Sequence, residues 1–214
     1  MIGFYDYTVI ATYLATALSV FGIFIAIEGN IALAVFWLGI SAILDTVDGK
    51  IARTKKNRSK IEKNFGIQID SLNDVVCFGV LPSVIAYCIY VQKVSANVPI
   101  WFVVLLCFFV LCGLVRLAYF NVIEEERSNA ERGVRTYYTG LPITSSSPLF
   151  ILMCILISVL GHAQLIMTIY LIVIGFLFIS PIKVYKPSNR VATILILFGL
   201  AMQFLLFYIW DLNF

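Results

Sequence analysis

The chain has 214 residues, of which 61% are hydrophobic and only 13% are charged, and its mean hydropathy is +0.98. This composition excludes an ordinary soluble domain and predicts a membrane protein. The formal net charge of +3 reflects basic residues gathered in a few loops, so it indicates no nucleic-acid partner. The first apolar stretch lacks the features of a cleavable signal peptide, and we expect it to remain as a span.

A membrane-spanning helix needs about 20 predominantly apolar residues. Seven stretches approach this length: Thr8–Ile27, Ile31–Ala52, Ile69–Val91, Ile100–Asn121, Ile143–Leu160, Ala163–Ser180 and Val191–Trp210. They predict an all-α fold, a polytopic bundle of about seven transmembrane helices that forms one catalytic domain over residues 1–214. The five cysteines lie scattered in apolar stretches without metal-binding spacing, and we interpret them as buried packing residues.

The basic residues predict how the bundle is oriented. If the spans alternate, 13 of the 15 lysines and arginines lie on one side, and the exceptions are Lys93 and Arg116. The thirteen are Lys50, Arg53, Lys55, Lys56, Arg58, Lys60, Lys63, Arg127, Arg132, Arg135, Lys183, Lys186 and Arg190. Because basic residues collect in short cytoplasmic loops, this side and the N-terminus are predicted to be cytoplasmic. The same basic face suits anionic lipid headgroups and phosphates.

Four acidic residues stand out from those at span ends and in solvated runs. Asp45 and Asp48 lie near the end of the second predicted span, and Asp70 and Asp74 lie at the start of the third. Spacings of three and four residues place each pair on one helix face. The intervening loop makes the two helices antiparallel neighbours, so the four carboxylates are predicted to converge at one membrane depth.

Four converging carboxylates repel one another and are costly to desolvate, so a cation is expected among them. Oxygen ligands alone suit a hard divalent cation such as Mg²⁺, Mn²⁺ or Ca²⁺. The alternative is that these acids form interfacial ion pairs with Lys50, Arg53 and the loop lysines. The convergence of all four in helical register favours the metal site.

Small residues accompany the aspartates. Gly49 and Ala52 lie three positions apart beside the aspartate face and leave room for a ligand to approach the backbone. An alternative is that Gly49, Ala52 and Gly66 allow close helix packing. Arg53 follows directly and offers a guanidinium suited to phosphate oxygens. Metal-binding carboxylates beside such an arginine indicate phosphoryl transfer, in which a carboxylate takes the nucleophile's proton.

These residues form a pattern that resembles the signature of the CDP-alcohol phosphotransferases. The pattern is Asp45-x-x-Asp48-Gly49-x-x-Ala52-Arg53, followed by Gly66-x-x-x-Asp70-x-x-x-Asp74. Three further segments are similar to the phosphatidylserine synthase branch: residues 70–82 (DSLNDVVCFGVLP), 116–122 (RLAYFNV) and 140–144 (GLPIT). The resemblance covers roughly residues 8–148, and it implies a six-helix family core to which this chain adds a C-terminal span.

The resemblance implies an activity and a set of site residues. The family transfers the phosphatidyl group of CDP-diacylglycerol to an alcohol and releases CMP, and in this branch the acceptor is L-serine. Asp45, Asp48, Asp70 and Asp74 would bind one or two Mg²⁺ or Mn²⁺ ions, and Asp74 would also be the general base. The CDP site would comprise Asp45, Gly49, Ala52, Arg53 and Gly66. The family also implies a homodimer.

Two features of the CDP site are specific to this chain. Thr12 corresponds loosely to a first-span threonine near the nucleotide, and the alternative is a hydroxyl bonded back to its own helix. Twelve residues separate Arg53 from Gly66, which is more than the family's common spacing. The additional residues are expected to lengthen the basic loop without moving the helix faces.

Arg116 is the only basic residue predicted inside a span, and such a residue is a functional hypothesis by default. Because serine carries a carboxylate, we interpret Arg116 as its binding residue, together with Asn121, Thr144 and Ser145. The alternative is that Arg116 reaches the interface and pairs with phospholipid or with Glu124.

Three rival functions fit the sequence less well. A related enzyme acting on glycerol phosphate, inositol phosphate or inositol would need more basic residues inside the bundle for a phosphorylated acceptor. A cation transporter would place its acids near the bilayer midplane rather than beside a basic loop. A non-catalytic scaffold would have no reason to place Asp74 one helical turn after Asp70.

Overall fold

The computed structural model describes residues 3–129, 137–185 and 189–213. Within them the chain forms eight α-helices and two short strands. The helices are α1 (Ile10–Ile27), α2 (Ile31–Ala52), α3 (Lys60–Asp74), α4 (Leu81–Lys93), α5 (Ile100–Asn129), α6 (Ser146–Leu160), α7 (Ala163–Ile179) and α8 (Asn189–Asn213). A π-helical segment, Val75–Val80, joins α3 to α4, and a 3₁₀ turn, Ile143–Ser145, leads into α6.

The helices have the lengths and composition of a membrane bundle. Five candidate spans, Ile10–Ile27, Ile31–Ala52, Lys60–Lys93, Ile100–Arg127 and Ile143–Leu160, are long and apolar enough to cross a bilayer. Two shorter apolar helices, Ala163–Ile179 and Ile196–Trp210, follow them. The predicted fold class, an all-α polytopic bundle of about seven helices, is therefore confirmed, and the chain is an integral membrane protein. The single catalytic domain over residues 1–214 stays a prediction.

The third helix differs from its predicted boundaries. It begins at Lys60 rather than Ile69 and runs through the π-helical segment as one rod to Lys93. Its start is fixed by a capping box, in which Ser59 accepts from the backbone of Glu62 and the Glu62 side chain accepts from the backbone of Ser59. Hydropathy does not detect this start because the first turn is charged, whereas the capping pattern is visible in the sequence.

Packing places α1 at the centre of the N-terminal half. It lies along α2 and also contacts α3, the π-helical segment and α4, while α5 packs on α7 and α6 packs on α8. Large buried side chains such as Leu38, Phe78 and Phe109 fill the interior. Only part of the prediction for the cysteines is confirmed. Cys77, Cys112 and Cys154 are buried, but Cys88 is half-buried and Cys107 faces outward.

A short antiparallel strand pair, which the sequence analysis did not predict, connects two loops at one end of the bundle. Strand β1 (Tyr137–Thr139) pairs with β2 (Lys183–Tyr185). Just after β1, the backbone of Gly140 donates to Ile182 and that of Leu141 donates to Leu177. The chain entering α6 is thereby fixed to the end of α7. Three basic residues of the predicted loops, Arg132, Arg135 and Lys186, lie outside the described residues.

Candidate active site

The four aspartates singled out from the sequence converge. Asp45, Asp70 and Asp74 each place a carboxylate oxygen within 4.8 Å of the other two. The Asp45 side chain contacts that of Asp74, and the Asp48 side chain contacts that of Asp70. Asp48 and Asp74 are buried, with 6% and 8% of their surfaces exposed. We call these four residues the aspartate cluster.

Helix geometry explains how the cluster forms. Asp45 and Asp48 lie in the last turns of α2, while Asp70 and Asp74 lie in the last turns of α3. The π-helical segment begins immediately after Asp74. Such segments are rare and frequent at functional sites. Here the wider turn changes the helical register between the face that carries the aspartates and the apolar face of α4.

Helix α1 holds both aspartate helices through hydroxyl groups. Thr12 donates a 2.9 Å hydrogen bond to Oδ2 of Asp48 on α2. One turn later, Thr16 donates a 2.7 Å hydrogen bond to Oδ1 of Asn73 on α3. The Thr12 hydroxyl is thus directed at the cluster rather than back at its own helix.

A second polar layer lies deeper along the same face of α1. The hydroxyl of Ser19 is 2.8 Å from that of Ser41 on α2 and 3.0 Å from Sγ of Cys77. All three residues are buried. Sequence reasoning did not assign Thr16, Ser19, Ser41, Asn73 or Cys77 to this network. The signal was present in the spacing of Thr12, Thr16 and Ser19, which places three hydroxyls on one helix face.

The two glycines of the motif lie beneath arginine side chains. A Cβ atom added at Gly49 would lie 3.5 Å from Nη1 of Arg53, and one added at Gly66 would lie 2.6 Å from Nη2 of Arg58. The atoms nearest to either added Cβ belong to these arginine side chains rather than to a neighbouring helix. The helix-packing interpretation of these glycines is therefore not supported. Ala52, in the last turn of α2, is half-buried.

No ion pair among the described residues neutralises the cluster, although the positive charge of Arg53 attracts Asp48. Among the described residues, ion pairs join Lys55 to Asp6 and Glu62, and Arg127 to Glu124, and none includes an aspartate of the cluster. In addition, Oδ1 of Asp74 is buried and accepts no hydrogen bond from the described residues. Converging carboxylates with an unused buried oxygen have the chemistry of a hard-cation site. The described ion pairs give no support to the alternative in which these acids pair directly with Lys50, Arg53 or the loop lysines.

The predicted acceptor residues form two separate groups of contacts. Arg116 is buried, with 7% of its surface exposed, and its Nε donates a 3.0 Å hydrogen bond to the carbonyl of Leu141. Its guanidinium also lies 5.1 Å from the ring centroid of Phe120. Leu141 leads directly into the 3₁₀ turn that holds Thr144 and Ser145, both half-buried.

Asn121 belongs to a separate contact. Its Nδ2 donates a 2.8 Å hydrogen bond to the hydroxyl of Ser71, the residue after Asp70. Helix α5 is therefore linked to the aspartate helix at the level of the cluster. The shared role of Asn121 and Arg116 stays a prediction.

The fold and the site together define a class of membrane enzyme. Residues 8–209 match the family model described as CDP-alcohol phosphatidyltransferase. The chain belongs to this family, which confirms the resemblance found in the sequence.

Particular relatives point to one branch. The chain is 32% identical to the CDP-diacylglycerol–serine O-phosphatidyltransferase of Helicobacter pylori over 90% of this chain and 78% of that protein. It is 34% identical to the protein of the same name from Methanocaldococcus jannaschii, over 71% of this chain and 63% of that one. It is also 34% identical to the archaetidylserine synthase of Methanothermobacter thermautotrophicus, over 56% of this chain and 46% of that protein.

Proposed function

We propose that this protein transfers the phosphatidyl group of CDP-diacylglycerol to the hydroxyl of L-serine. The observation that carries the proposal is the convergence of the four aspartates beside Arg53 in a chain of this family. The serine oxygen forms a bond to the phosphatidyl phosphorus, and the bond from that phosphorus to the CMP oxygen breaks. The products are phosphatidylserine, CMP and one proton.

The aspartate cluster is proposed to hold one or two Mg²⁺ or Mn²⁺ ions. Its all-oxygen donor set and the unused oxygen of Asp74 suit a hard cation. When bound, such an ion neutralises negative charge on the diphosphate.

Asp74 is proposed as the general base. Its Oδ1 is buried and accepts no hydrogen bond from the described residues, so it has an acceptor free for the serine hydroxyl proton. The neighbouring Asp45 side chain contacts that of Asp74. A proton accepted at Asp74 also lowers the repulsion within the cluster.

The nucleotide site is proposed to border the cluster at the end where α2 stops and α3 starts. Arg53 lies over Gly49 and supplies a guanidinium for the diphosphate. Asp45, Ala52 and Gly66 complete the proposed CDP site. For Thr12, whose hydroxyl is already engaged, the role supported by its contact is to orient Asp48.

The acceptor site is proposed to include Arg116, Asn121, Thr144 and Ser145. A buried guanidinium beside the 3₁₀ turn suits the carboxylate of serine. Among the described residues, Arg116 is the only buried lysine or arginine. This favours a small zwitterion over glycerol phosphate or inositol phosphate as the acceptor.

The proposal includes the orientation of the protein, its lipid chains and its oligomeric state. The N-terminus and the aspartate cluster face the cytoplasm, because the basic loop between α2 and α3 is on that side. The lipid substrate carries either diacyl or ether-linked archaeal chains, since relatives of both names match. The functional unit is a homodimer. Maleimide labelling of a Lys56→Cys variant in sealed vesicles tests the sidedness, and crosslinking in membranes tests the dimer.

The decisive experiment measures CMP release by the purified protein. CDP-diacylglycerol is supplied with Mg²⁺ or Mn²⁺, and serine, glycerol 3-phosphate and inositol are offered in turn. We expect release with serine and none with the other two. CMP release with glycerol 3-phosphate or inositol but not with serine would show that serine is not the acceptor. No CMP release with any acceptor and either metal would contradict the proposed function.

A further inference from the structure

Arg58 lies in the loop between α2 and α3, outside the family motif, yet its guanidinium rests on a motif residue. A Cβ atom at Gly66 would lie 2.6 Å from Nη2, 3.6 Å from Cζ and 3.8 Å from Nη1 of Arg58. Any other residue at position 66 would have to displace this group. The glycine therefore provides the space in which the Arg58 guanidinium sits.

Arg58 has donors that the described protein does not use. Its Nη2 donates to the carbonyl of Glu62 at 3.2 Å. Its Nε is buried and has no hydrogen-bond partner among the described residues. None of the ion pairs formed by those residues includes Arg58. Because a guanidinium is always charged and an unpaired buried donor is costly, the arrangement suits an anion bound from outside the chain.

Arg53 forms a matching arrangement on the other aspartate helix. Its Nη1 and Nη2 would lie 3.5 Å and 4.0 Å from a Cβ atom at Gly49. Gly49 follows Asp48, whereas Gly66 lies one turn before Asp70, and the side chains of Asp48 and Asp70 are in contact. Both arginine–glycine pairs therefore border the same end of the aspartate cluster.

We propose that Arg58 is a second diphosphate-binding residue, which acts with Arg53 on the CDP group of the lipid substrate. The inference rests on the proposed function. A diphosphate diester carries two negative charges, and two guanidinium groups can each donate a pair of hydrogen bonds to its oxygens. The additional residues of the loop thus supply a substrate contact that the family motif does not contain.

The first test measures binding of CDP, without a lipid tail, to the purified protein in a neutral detergent with Mg²⁺. Removing a hydrogen-bonded charge at Arg58→Gln should weaken CDP binding roughly ten- to hundredfold. Arg58→Lys should recover only part of this loss, because an ammonium cannot donate in the same paired geometry. Lys56→Gln is the matched control, since Lys56 is exposed in the same loop, and its CDP affinity should equal that of the unmodified protein.

A double-mutant cycle tests whether Gly66 affects CDP binding through the position of Arg58. Gly66→Ala displaces only the end of a flexible side chain, so the variant should fold and yet bind CDP as weakly as Arg58→Gln. If Gly66 acts by placing Arg58, the double variant should bind no more weakly than either single variant. Independent, additive losses would show that Gly66 meets the nucleotide directly and would overturn this account of the pair.

Two further outcomes distinguish the possible failures. If Arg58→Gln binds CDP with unchanged affinity but no longer binds vesicles that contain anionic lipid, Arg58 contacts bulk lipid headgroups. This result would overturn the proposal. In that case CMP release with serine by the unmodified protein would leave the proposed function intact. A protein that binds CDP through Arg58 but releases no CMP with any acceptor would keep this inference and contradict the proposed reaction.

Discussion

The hydroxyl of Thr12 donates a 2.9 Å hydrogen bond to Oδ2 of Asp48, which joins the first helix to the aspartate cluster. Both side chains are buried, so the bond fixes one carboxylate oxygen of Asp48 within the cluster. Thr12→Val keeps the shape of the side chain and removes the donor. We expect the concentration of Mg²⁺ or Mn²⁺ needed for half-maximal activity to rise about tenfold, as for a lost hydrogen bond to a charged group.

Thr46→Val provides the matched control for Thr12→Val. Thr46 lies next to Asp45, but its hydroxyl donates to the carbonyl of Ala42 in its own helix. The concentration of Mg²⁺ or Mn²⁺ that Thr46→Val needs for half-maximal activity should stay unchanged. An equal rise in both variants would mean that hydroxyl removal near the cluster acts through the helix rather than through Asp48.

The backbone at Gly140 has a left-handed conformation, and its surroundings leave no space for a side chain. Its φ is +76°, and an added Cβ atom would lie 2.5 Å from the carbonyl oxygen of Phe178. Gly161 has a similar φ of +73° but nothing within 4 Å of an added Cβ atom. The left-handed conformation costs a substituted residue roughly 1–2 kcal/mol. Gly161→Ala should incur this cost alone, whereas Gly140→Ala should lose more.

Thermal unfolding in detergent compares the two glycine variants. For a protein of this size, each kcal/mol corresponds to a shift of about 2–4 °C. Gly140→Ala should also raise the serine requirement, because Gly140 precedes Leu141, the acceptor for Arg116. Equal unfolding temperatures for the two variants would contradict the close approach to Phe178.

Much of the site was predictable because its geometry is local. Asp45 and Asp48, like Asp70 and Asp74, share a helix face through spacing alone. The short loop then makes their helices neighbours, and the structure brings the four carboxylates together as expected. The residue roles carried over from the family remain predictions that the structure does not test.

Other parts depend on contacts between distant segments, which spacing does not reveal. The sequence places Thr12, Thr16 and Ser19 on one face of α1, but only the packed bundle shows which helices they meet. The position of Arg58 on Gly66 depends on a loop without regular structure. The pairing of β1 with β2 joins three-residue strands, and segments this short have no detectable alternation.

The aspartate cluster should make the metal-free protein less stable than its neutralised variants. Like charges at contact distance repel by about 1 kcal/mol or more. Asp74→Asn removes one charge from the cluster, so its metal-free unfolding temperature should rise by about 2–4 °C. The same variant should lose CMP release and most of the stabilisation that Mg²⁺ gives the unmodified protein. Differential scanning fluorimetry with and without Mg²⁺ measures both effects.

Glu125→Gln is the control for Asp74→Asn, because Glu125 is an exposed acid on α5 that does not belong to the aspartate cluster. It should leave the response to Mg²⁺ unchanged. If Mg²⁺ raises the unfolding temperature of Asp74→Asn as much as that of the unmodified protein, the ion binds outside the cluster.

The segment before α1 is tied to the loop between α2 and α3 by an ion pair. Lys55 Nζ lies 2.6 Å from Oδ2 of Asp6 and 2.8 Å from Oε1 of Glu62. The Lys55 contact, followed by the Thr8 hydroxyl, lowers the pKa of Asp6 from 3.8 to about 2. Since the folded-state pKa is lowered, the pair stabilises the protein fully above about pH 4. That stabilisation is lost as the pH falls through about 2.

A double-mutant cycle with Asp6→Asn and Lys55→Met measures this pair by thermal unfolding across acidic pH. The coupling should be constant from neutral pH down to about 4 and should vanish near pH 2. At the alkaline end, Asp6 and Glu62 raise the pKa of Lys55, so the coupling should persist until the raised value is passed. A coupling that disappears already at pH 5 would contradict the lowered pKa of Asp6.

Arg116 provides the sharpest test of serine as the acceptor, because it both contacts the backbone of Leu141 and is proposed to bind the serine carboxylate. Its Nε donates to the Leu141 carbonyl, so Arg116→Leu removes an anchor of the chain entering α6 as well as a charge. If the guanidinium also binds the serine carboxylate, KM for serine should rise on the order of tenfold to a hundredfold, with KM for CDP-diacylglycerol nearly unchanged. Arg116→Lys keeps the charge and should recover part of the serine affinity. Comparison with Gly140→Ala, which disturbs the same chain segment without removing the guanidinium, separates the two roles. An equal rise in both KM values, or a loss in kcat alone, would assign Arg116 to the fold rather than to serine.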